Sequence, residues 1–251
     1  MVKILLVGCS GKMGQIISSS VTNFNNLKIV AGVDKFKCNT LNYPIFENIN
    51  KCTEDIDVVL DFSRPETLSS IIEFVTKHNK PVIFCTTGYT KEQKDEIISL
   101  SNKVPVFYSA NMSIGINVIN NVLKNISNLL FKDFDIEIIE KHHNQKVDAP
   151  SGTALLLANT IKDSIKDETH FIYGREGIAK RDSKEIGIHT VRGGTIIGEH
   201  EVIFAGNDEI IEIKHTALSR KVFAIGALKA CAFMYDKSKG LYSMDDIVKI
   251  N

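Results

Sequence analysis

The segment Glu140-Lys-His-His-Asn-Gln-Lys-Val-Asp-Ala-Pro-Ser-Gly-Thr153 gathers two adjacent imidazoles, Lys146, two carboxylates and a helix-opening turn into fourteen residues. No other stretch is as dense in groups that carry protons or attract charge. The run that follows, Ala154-Leu-Leu-Leu-Ala158, is made of strong helix formers. The pattern therefore predicts a cationic loop running into a helix N-terminus. Such an end presents unpaired backbone N–H groups and partial positive charge, to which His142, His143 and Lys146 add. The ligand expected there is a small, multiply charged anion. Ser151 suits the N-cap, with Gly152 and Thr153 supplying N–H groups in the first turn. A nucleophile elbow would need G-x-S-x-G instead.

A second constellation lies at the start of the chain. Gly8-Cys9-Ser10-Gly11-Lys12-Met13-Gly14 follows an apolar strand and precedes a helical pattern, the context a glycine-rich dinucleotide loop requires. The spacing is G-x-x-G-x-x-G and alone would be weak. Asp34, closing Ile29-Val-Ala-Gly-Val-Asp34, stands where an acid would bind a ribose 2′-hydroxyl. The plain alternative is a tight strand-to-helix turn with an unrelated aspartate. Lys35 and Lys37 flank that acid and could accept the 2′-phosphate of NADP, or be a solvated face, so NADH and NADPH both stay open. Thr86-Thr87 follows the strand ending at Cys85, and Ser109-Ala110-Asn111-Met112 follows the strand ending at Tyr108. Ligands of open parallel sheets bind along that edge, so these groups are candidates for the nicotinamide end.

The elements that must position these groups alternate through the first half: apolar runs at 3–7, 28–33, 58–62, 81–85 and 104–108, with amphipathic stretches at 13–23, 66–78 and 91–101. Near-continuous apolar strands between helices predict a parallel sheet covered on both faces. The second half changes period. Runs at 135–140, 185–192, 198–204 and 209–215 alternate apolar and polar, which predicts a separate antiparallel or mixed sheet with one wet face. An amphipathic helix over 220–235 is expected to return to the first domain. The domains expected are 1–113 with 220–251 for dinucleotide binding, and 114–219 for substrate binding and oligomerisation. The stretches 162–168 and 178–184 are polar enough to be mobile loops.

Composition sets outer bounds. The 251 residues are 43% hydrophobic, and 30 basic residues balance 30 acidic ones, so bulk charge favours neither nucleic acid nor membrane. The apolar opening, Met1 to Val7, is too short for a signal peptide or a span, so a cytoplasmic protein is expected. Five cysteines without a C-x-x-C pair suggest reduced, mostly buried thiols. Adjacent histidines point in different directions and no H-E-x-x-H frame occurs, so no metal is expected.

Taken together, Gly8 to Gly14, Asp61-Phe-Ser63, Thr86-Thr-Gly88, Asn111 to Asn117, the Glu140 to Ala154 string, Arg192-Gly-Gly194, Gly198-Glu-His200 and Ser219 to Gly226 closely resemble the 4-hydroxy-tetrahydrodipicolinate reductases of bacterial lysine biosynthesis. The resemblance runs from end to end. It implies an α/β protein with a Rossmann-type parallel sheet domain and a mixed-sheet α+β substrate and tetramerisation domain. It also implies reduction of a cyclic dicarboxylate by NADH or NADPH, with His142 as acid/base and Lys146 as proton donor. His143, Gly152 and Thr153 are implied to bind the substrate carboxylates. Cys9 and Lys12 stand where the family usually has alanine and arginine, which bears on the choice of cofactor. A homotetramer is expected from that resemblance and from apolar one-sided strands such as Ile210-Ile-Glu-Ile213. The chemistry requires the imidazole–lysine cluster to face the carrier's transferable hydrogen across an interdomain cleft. Readings from other classes are a non-catalytic NAD(P)H-sensing protein that clamps an anion, and a different two-domain NAD(P)-dependent dehydrogenase.

Overall fold

A computed structural model describes residues 1–36 and 38–249. The chain divides into two compact units, Met1–Ile114 with Arg220–Lys249 and Gly115–Ser219. Lys37, one of the two lysines beside Asp34, lies outside the described residues, as do 250 and 251.

The first unit is a seven-stranded sheet in which every strand pair is parallel. Its strands are β1 (Val2–Val7), β2 (Leu27–Val33), β3 (Ile45–Phe46), β4 (Val58–Asp61), β5 (Val82–Phe84), β6 (Pro105–Tyr108) and, from later in the chain, β12 (Gly240–Tyr242). The spatial order β12-β6-β5-β4-β1-β2-β3 places the reversal of strand order beside β1. Alternate residues of β1 divide between two cores. Ile4 and Leu6 pack with Ile17 of helix α1 (Lys12–Ser20) and with Ala227 and Leu228 of α6 (Lys221–Met234). Leu5 and Val7 pack with Ile71 and Phe74 of α2 (Leu68–His78) and with Ile97 of α3 (Lys91–Leu100). Continuous apolar strands result because both faces are dry. The helix expected to be amphipathic over 220–235 is instead buried nearly all round, with Lys221 and Lys229 as the fully exposed positions of α6. A short α7 (Met244–Ile247) closes this unit.

The second unit holds α4 (Ile114–Leu130, whose first residue belongs to the other unit), β7 (Asp135–His142), α5 (Gly152–Ser164), β8 (His170–Tyr173), β9 (Glu185–Arg192), β10 (Gly198–Ala205) and β11 (Ile210–Ala217). The sheet order is β11-β10-β7-β9-β8. The β10 strand runs antiparallel to β7 and β11, whereas β9 runs parallel to β7 and β8. One face carries Ile136, Ile138, Val202, Phe204, Ile186 and Ile188 against Leu123 of α4 and Leu157 and Ile161 of α5.

Ile211 and Ile213 of β11 pack against this same core and are partly buried, whereas Ile210 is exposed. The opposite face is laced by ion pairs, Lys141–Glu199 at 2.5 Å and Lys214–Glu199 at 2.9 Å. Residues 162–164 close helix α5 rather than opening a loop. The 178–184 segment, although irregular, is pinned by Arg181, whose guanidinium meets Asp135 at 2.6 Å and Glu137 at 3.1 Å. Finally, all five cysteines are free, but Cys9 and Cys231 alone are buried and Cys38, Cys52 and Cys85 are partly exposed.

Candidate functional site

The carboxyl edge of the parallel sheet encloses a cavity of about 380 Å³ within the first unit. Gly11, Lys12 and Met13 line it from the β1–α1 turn; Cys85, Thr86 and Thr87 line it from the end of β5. Ser109, Ala110, Asn111 and Met112 line it from the end of β6. Gly8 has φ +82°, and a Cβ there would lie 2.4 Å from the carbonyl oxygen of Phe62. Only glycine fits such a turn. A Cβ at Gly14 would lie 2.3 Å from the Gly8 carbonyl, so this glycine lets α1 pack directly on the loop. Helix α1 opens at Gly11 with no acidic side chain in its first turn, which leaves its positive end available to an anion. Asp34 accepts from the backbone N–H of Ser10 at 3.0 Å and from that of Phe36 at 3.2 Å. The carboxylate thus ties the glycine turn to the end of β2.

Several residues fall outside the cavity wall. Cys9 turns its side chain into the core, against Gly32, and burial pushes its thiol up to about 11. Its backbone alone remains to meet a ligand. Ser10 donates its hydroxyl to the Phe36 carbonyl at 2.6 Å. Lys35 is exposed beyond β2. Phe62, Ser63 and Phe223, none of them expected as site residues, all line the cavity. Phe62 and Ser63 are held there by Asp61, which is fully buried and accepts from Ser63 and from Tyr89 Oη, the latter at 2.9 Å. Burial pushes the Asp61 carboxyl up against those bonds. A strand-end aspartate followed by serine is the signal that could have marked this corner.

In the second unit, the dense segment folds around Glu140, which is 0% exposed. Glu140 Oε2 lies 2.6 Å from His142 Nδ1 and accepts from Arg192 Nη1 at 2.8 Å. Its Oε1 accepts from Arg192 Nη2 at 2.8 Å and from the backbone N–H of Ser151 at 2.9 Å. Burial alone would raise this carboxyl, but the bonds from Arg192, His142 and Ser151 outweigh it and hold Glu140 at about 2. His142 is buried; desolvation lowers its pKa, Glu140 works in the opposite direction, and the nearby Lys146 and Arg192 charges add to the lowering. His143 is half-buried, and its carbonyl accepts from the Lys146 backbone N–H at 3.1 Å. Lys146 Nζ donates to both oxygens of Asp148, at 2.7 and 2.8 Å. Asp148 is held below the usual carboxylate range because this ammonium outweighs its partial burial.

Ser151 caps α5 by accepting from Ala154 N at 3.1 Å, as its residue type predicts. Its hydroxyl also lies 2.9 Å from Nε2 of buried His200. Burial, then the neighbouring His142, brings His200 down to about 4. A Cβ at Gly152 would meet nothing within 4 Å, so the first turn of α5 opens onto free space, and Thr153 is the next residue of that turn. Arg192 and His200 are visible in the sequence only as parts of a family pattern. Their structural roles come from strands 52 and 60 positions away from Glu140, beyond any local spacing rule.

The two-unit architecture joins a parallel sheet, with a glycine turn at its point of reversal, to a mixed-sheet unit bearing the cluster around Glu140 and His142. A myo-inositol dehydrogenase from Corynebacterium glutamicum ATCC 13032 shares it with TM-score 0.62 and 15% identity, over 96% of this chain and 90% of that one. At that identity the likeness shows the fold alone. More specifically, the family model of the dihydrodipicolinate reductase N-terminus matches residues 2–112 and that of its C-terminus matches residues 115–248. The chain belongs to the dihydrodipicolinate reductase family. A 4-hydroxy-tetrahydrodipicolinate reductase of Clostridium novyi (strain NT) is 67% identical over 99% of both chains. The dipicolinate-bound dihydrodipicolinate reductase from Paenisporosarcina sp. TG-14 has TM-score 0.80 and 26% identity, over 99% of this chain and 100% of that one.

Proposed function

We propose that this protein reduces 4-hydroxy-tetrahydrodipicolinate to tetrahydrodipicolinate at the expense of NADH or NADPH, a step of diaminopimelate and lysine biosynthesis. The observation that carries the reading is the juxtaposition of His142 at the end of β7, Lys146 in the loop that follows and the open first turn of α5. The glycine turn, the uncovered start of α1 and Asp34 fit a dinucleotide: backbone approaches the pyrophosphate and a carboxylate meets the ribose. When bound, that carrier supplies the hydride.

The protein's own groups supply the rest. The α5 N–H groups of Gly152 and Thr153, with His143, hold the substrate carboxylates and orient the ring. Conversion of substrate to product removes the hydroxyl, together with a hydrogen from the adjacent ring carbon, as water and adds one hydride and one proton to the ring. Lys146 or protonated His142 delivers the proton to the ring as hydride arrival loads it with electron density. Asp148 keeps Lys146 over the loop until a substrate carboxylate competes for its ammonium. A cytoplasmic location and a homotetramer accompany this reading, the latter on the family resemblance and on the partly exposed apolar side of β11. A sedimentation mass of a single chain would refute the tetramer.

The direct test is oxidation of NADH or NADPH with enzymatically generated substrate. His142→Ala and Lys146→Ala should each lose about 10²–10⁴-fold in turnover, the usual contribution of a positioned acid or base. Tight NADH binding with no dicarboxylate-dependent turnover would instead indicate a sensing protein.

A further inference from the structure

We propose that Glu140 is a positioning residue that couples the two halves of the site, fixing which nitrogen of His142 exchanges protons and, through the same carboxylate, the place of the α5 turn. The inference rests on the reductase reading above. Its basis is the division of labour between the two oxygens. Oε2 faces His142 Nδ1 and Arg192 Nη1, while Oε1 takes Arg192 Nη2 and the Ser151 N–H, one residue before the turn that would hold the substrate.

A carboxylate only accepts, so the nitrogen it faces must carry the hydrogen. Neutral His142 is therefore protonated at Nδ1, and Nε2 is left to take up and release protons. The ring geometry agrees, for Nε2 lies over Gly198, where a Cβ would come within 3.1 Å of it. Any larger residue at 198 would crowd the reacting nitrogen. Arg192 serves both halves as well, because Nη2 also donates to the Asp148 carbonyl at 2.6 Å and so anchors the residue that holds Lys146.

The charged and titratable groups around His142 are Glu140 on its own strand, Lys146 in the loop, Arg192 at the end of β9 and His200 on β10, with His215 of β11 beyond. Among these Glu140 is the one carboxylate acting directly on the imidazole in favour of its protonated form. The α5 helix brings no acidic side chain in its first turn.

Glu140→Gln separates the two functions. The amide nitrogen costs least at the Oε2 position, since the Oε1 position would confront the Ser151 N–H and Thr190 Oγ1 as well as Arg192. Placed there, the amide keeps an acceptor for Ser151 and presents a donor to His142 Nδ1, which forces the opposite tautomer. The expected result is a fall in kcat of about 100-fold, the lower end of what a positioned acid or base contributes. The dicarboxylate KM should change less, and the protonation limb of the pH–rate profile that reports His142 should move to lower pH. Glu140→Asp, which keeps the charge, should bring that limb back toward its original position.

Imidazole ¹⁵N NMR of the wild-type enzyme gives a check that needs no stable Glu140 variant. With the His142 signals assigned against a His142→Asn sample, Nδ1 should appear protonated and Nε2 unprotonated above the imidazole pKa. The opposite tautomer overturns the inference, as does an unchanged kcat and pH profile in Glu140→Gln or a loss confined to KM. If the wild type shows no turnover with either carrier, the reductase reading itself fails. Wild-type turnover with an indifferent Glu140→Gln sinks this inference alone.

Discussion

The two candidate sites of this chain are built by opposite means. Along the parallel sheet, the glycine turn and the β5 and β6 ends form a wall by the path of the backbone, and the Asp34 carboxylate is spent on two backbone N–H groups. Around Glu140, by contrast, side chains from β7, β9, β10 and the loop before α5 converge on a buried network of charges. A backbone-built site tolerates many side chains but no added Cβ where the chain touches itself. A charge-built site tolerates changes of shape but not the loss of one partner.

The largest effect should come from breaking the charge-built site. Arg192→Met leaves Glu140 buried with half of its ionic partners and should cost about 3–5 kcal/mol of stability, read from denaturant unfolding. A loss under about 1 kcal/mol would mean that water reaches Glu140 and that the network is not dry.

The backbone-built site should break next. Gly14→Ala places a methyl group 2.3 Å from the Gly8 carbonyl, so α1 must move away. Overpacking of this kind costs about 1–3 kcal/mol. Dinucleotide affinity, measured by calorimetry, should fall with it while dicarboxylate binding persists. Equal loss of both ligands would contradict a division of labour between the units.

A pH effect distinguishes the regions more finely. His200 has a folded pKa of about 4, below the unfolded value of about 6.5. The unfolded chain therefore binds this proton first, and the contribution is full above about 6.5 and declines as pH falls toward 4. Between pH 7 and 5 stability should drop by about 2 kcal/mol from this group, and His200→Asn should flatten that slope. Glu140 acts lower on the scale: its depressed pKa contributes above about 4.3 and is lost as pH falls through about 2. A slope unchanged by His200→Asn would show that His200 titrates normally.

The smallest effect belongs to Asp34. Asp34→Asn keeps acceptors for Ser10 and Phe36 while removing the charge, so it should shift preference a few-fold from NADH toward NADPH, read as the ratio of kcat/KM values. No shift would remove Asp34 from carrier selection.

How much of this could be read along the chain differs between the regions in the same way. The glycine turn, Asp34 and the strand ends at Cys85 and Tyr108 are local signals, and the cavity-lining segments lie at the strand ends where those signals point. Helix α4 is not legible from residue propensity. Its Asn and β-branched residues are poor helix formers, yet the stripe Ile116, Ile119, Leu123, Ile126 and Leu130 recurs at helical spacing, and packing overrides propensity. The short strands β3 and β12 are likewise illegible along the chain, because two or three residues carry no period. The amphipathic reading of α6 failed for a related reason. A helix covered on most sides by sheet and neighbours keeps too few exposed positions, Lys221 and Lys229, to display a polar stripe.

The order of residues alone sets the alternation of strands and helices, the change of period that marks a second unit, the glycine turn and the identity of the imidazole–lysine string. These are encoded in spacings of a few residues, where backbone geometry and side-chain periodicity act directly. Only the tertiary structure decided that Glu140 lies dry beneath that string, that Arg192 and His200 reach it across neighbouring strands, and that Cys9 faces inward. Such facts depend on strand register, which brings together residues 52 positions apart, and on the hydrogen bonds from Arg192, His142 and Ser151, which hold Glu140 at about 2 against the opposing effect of its burial.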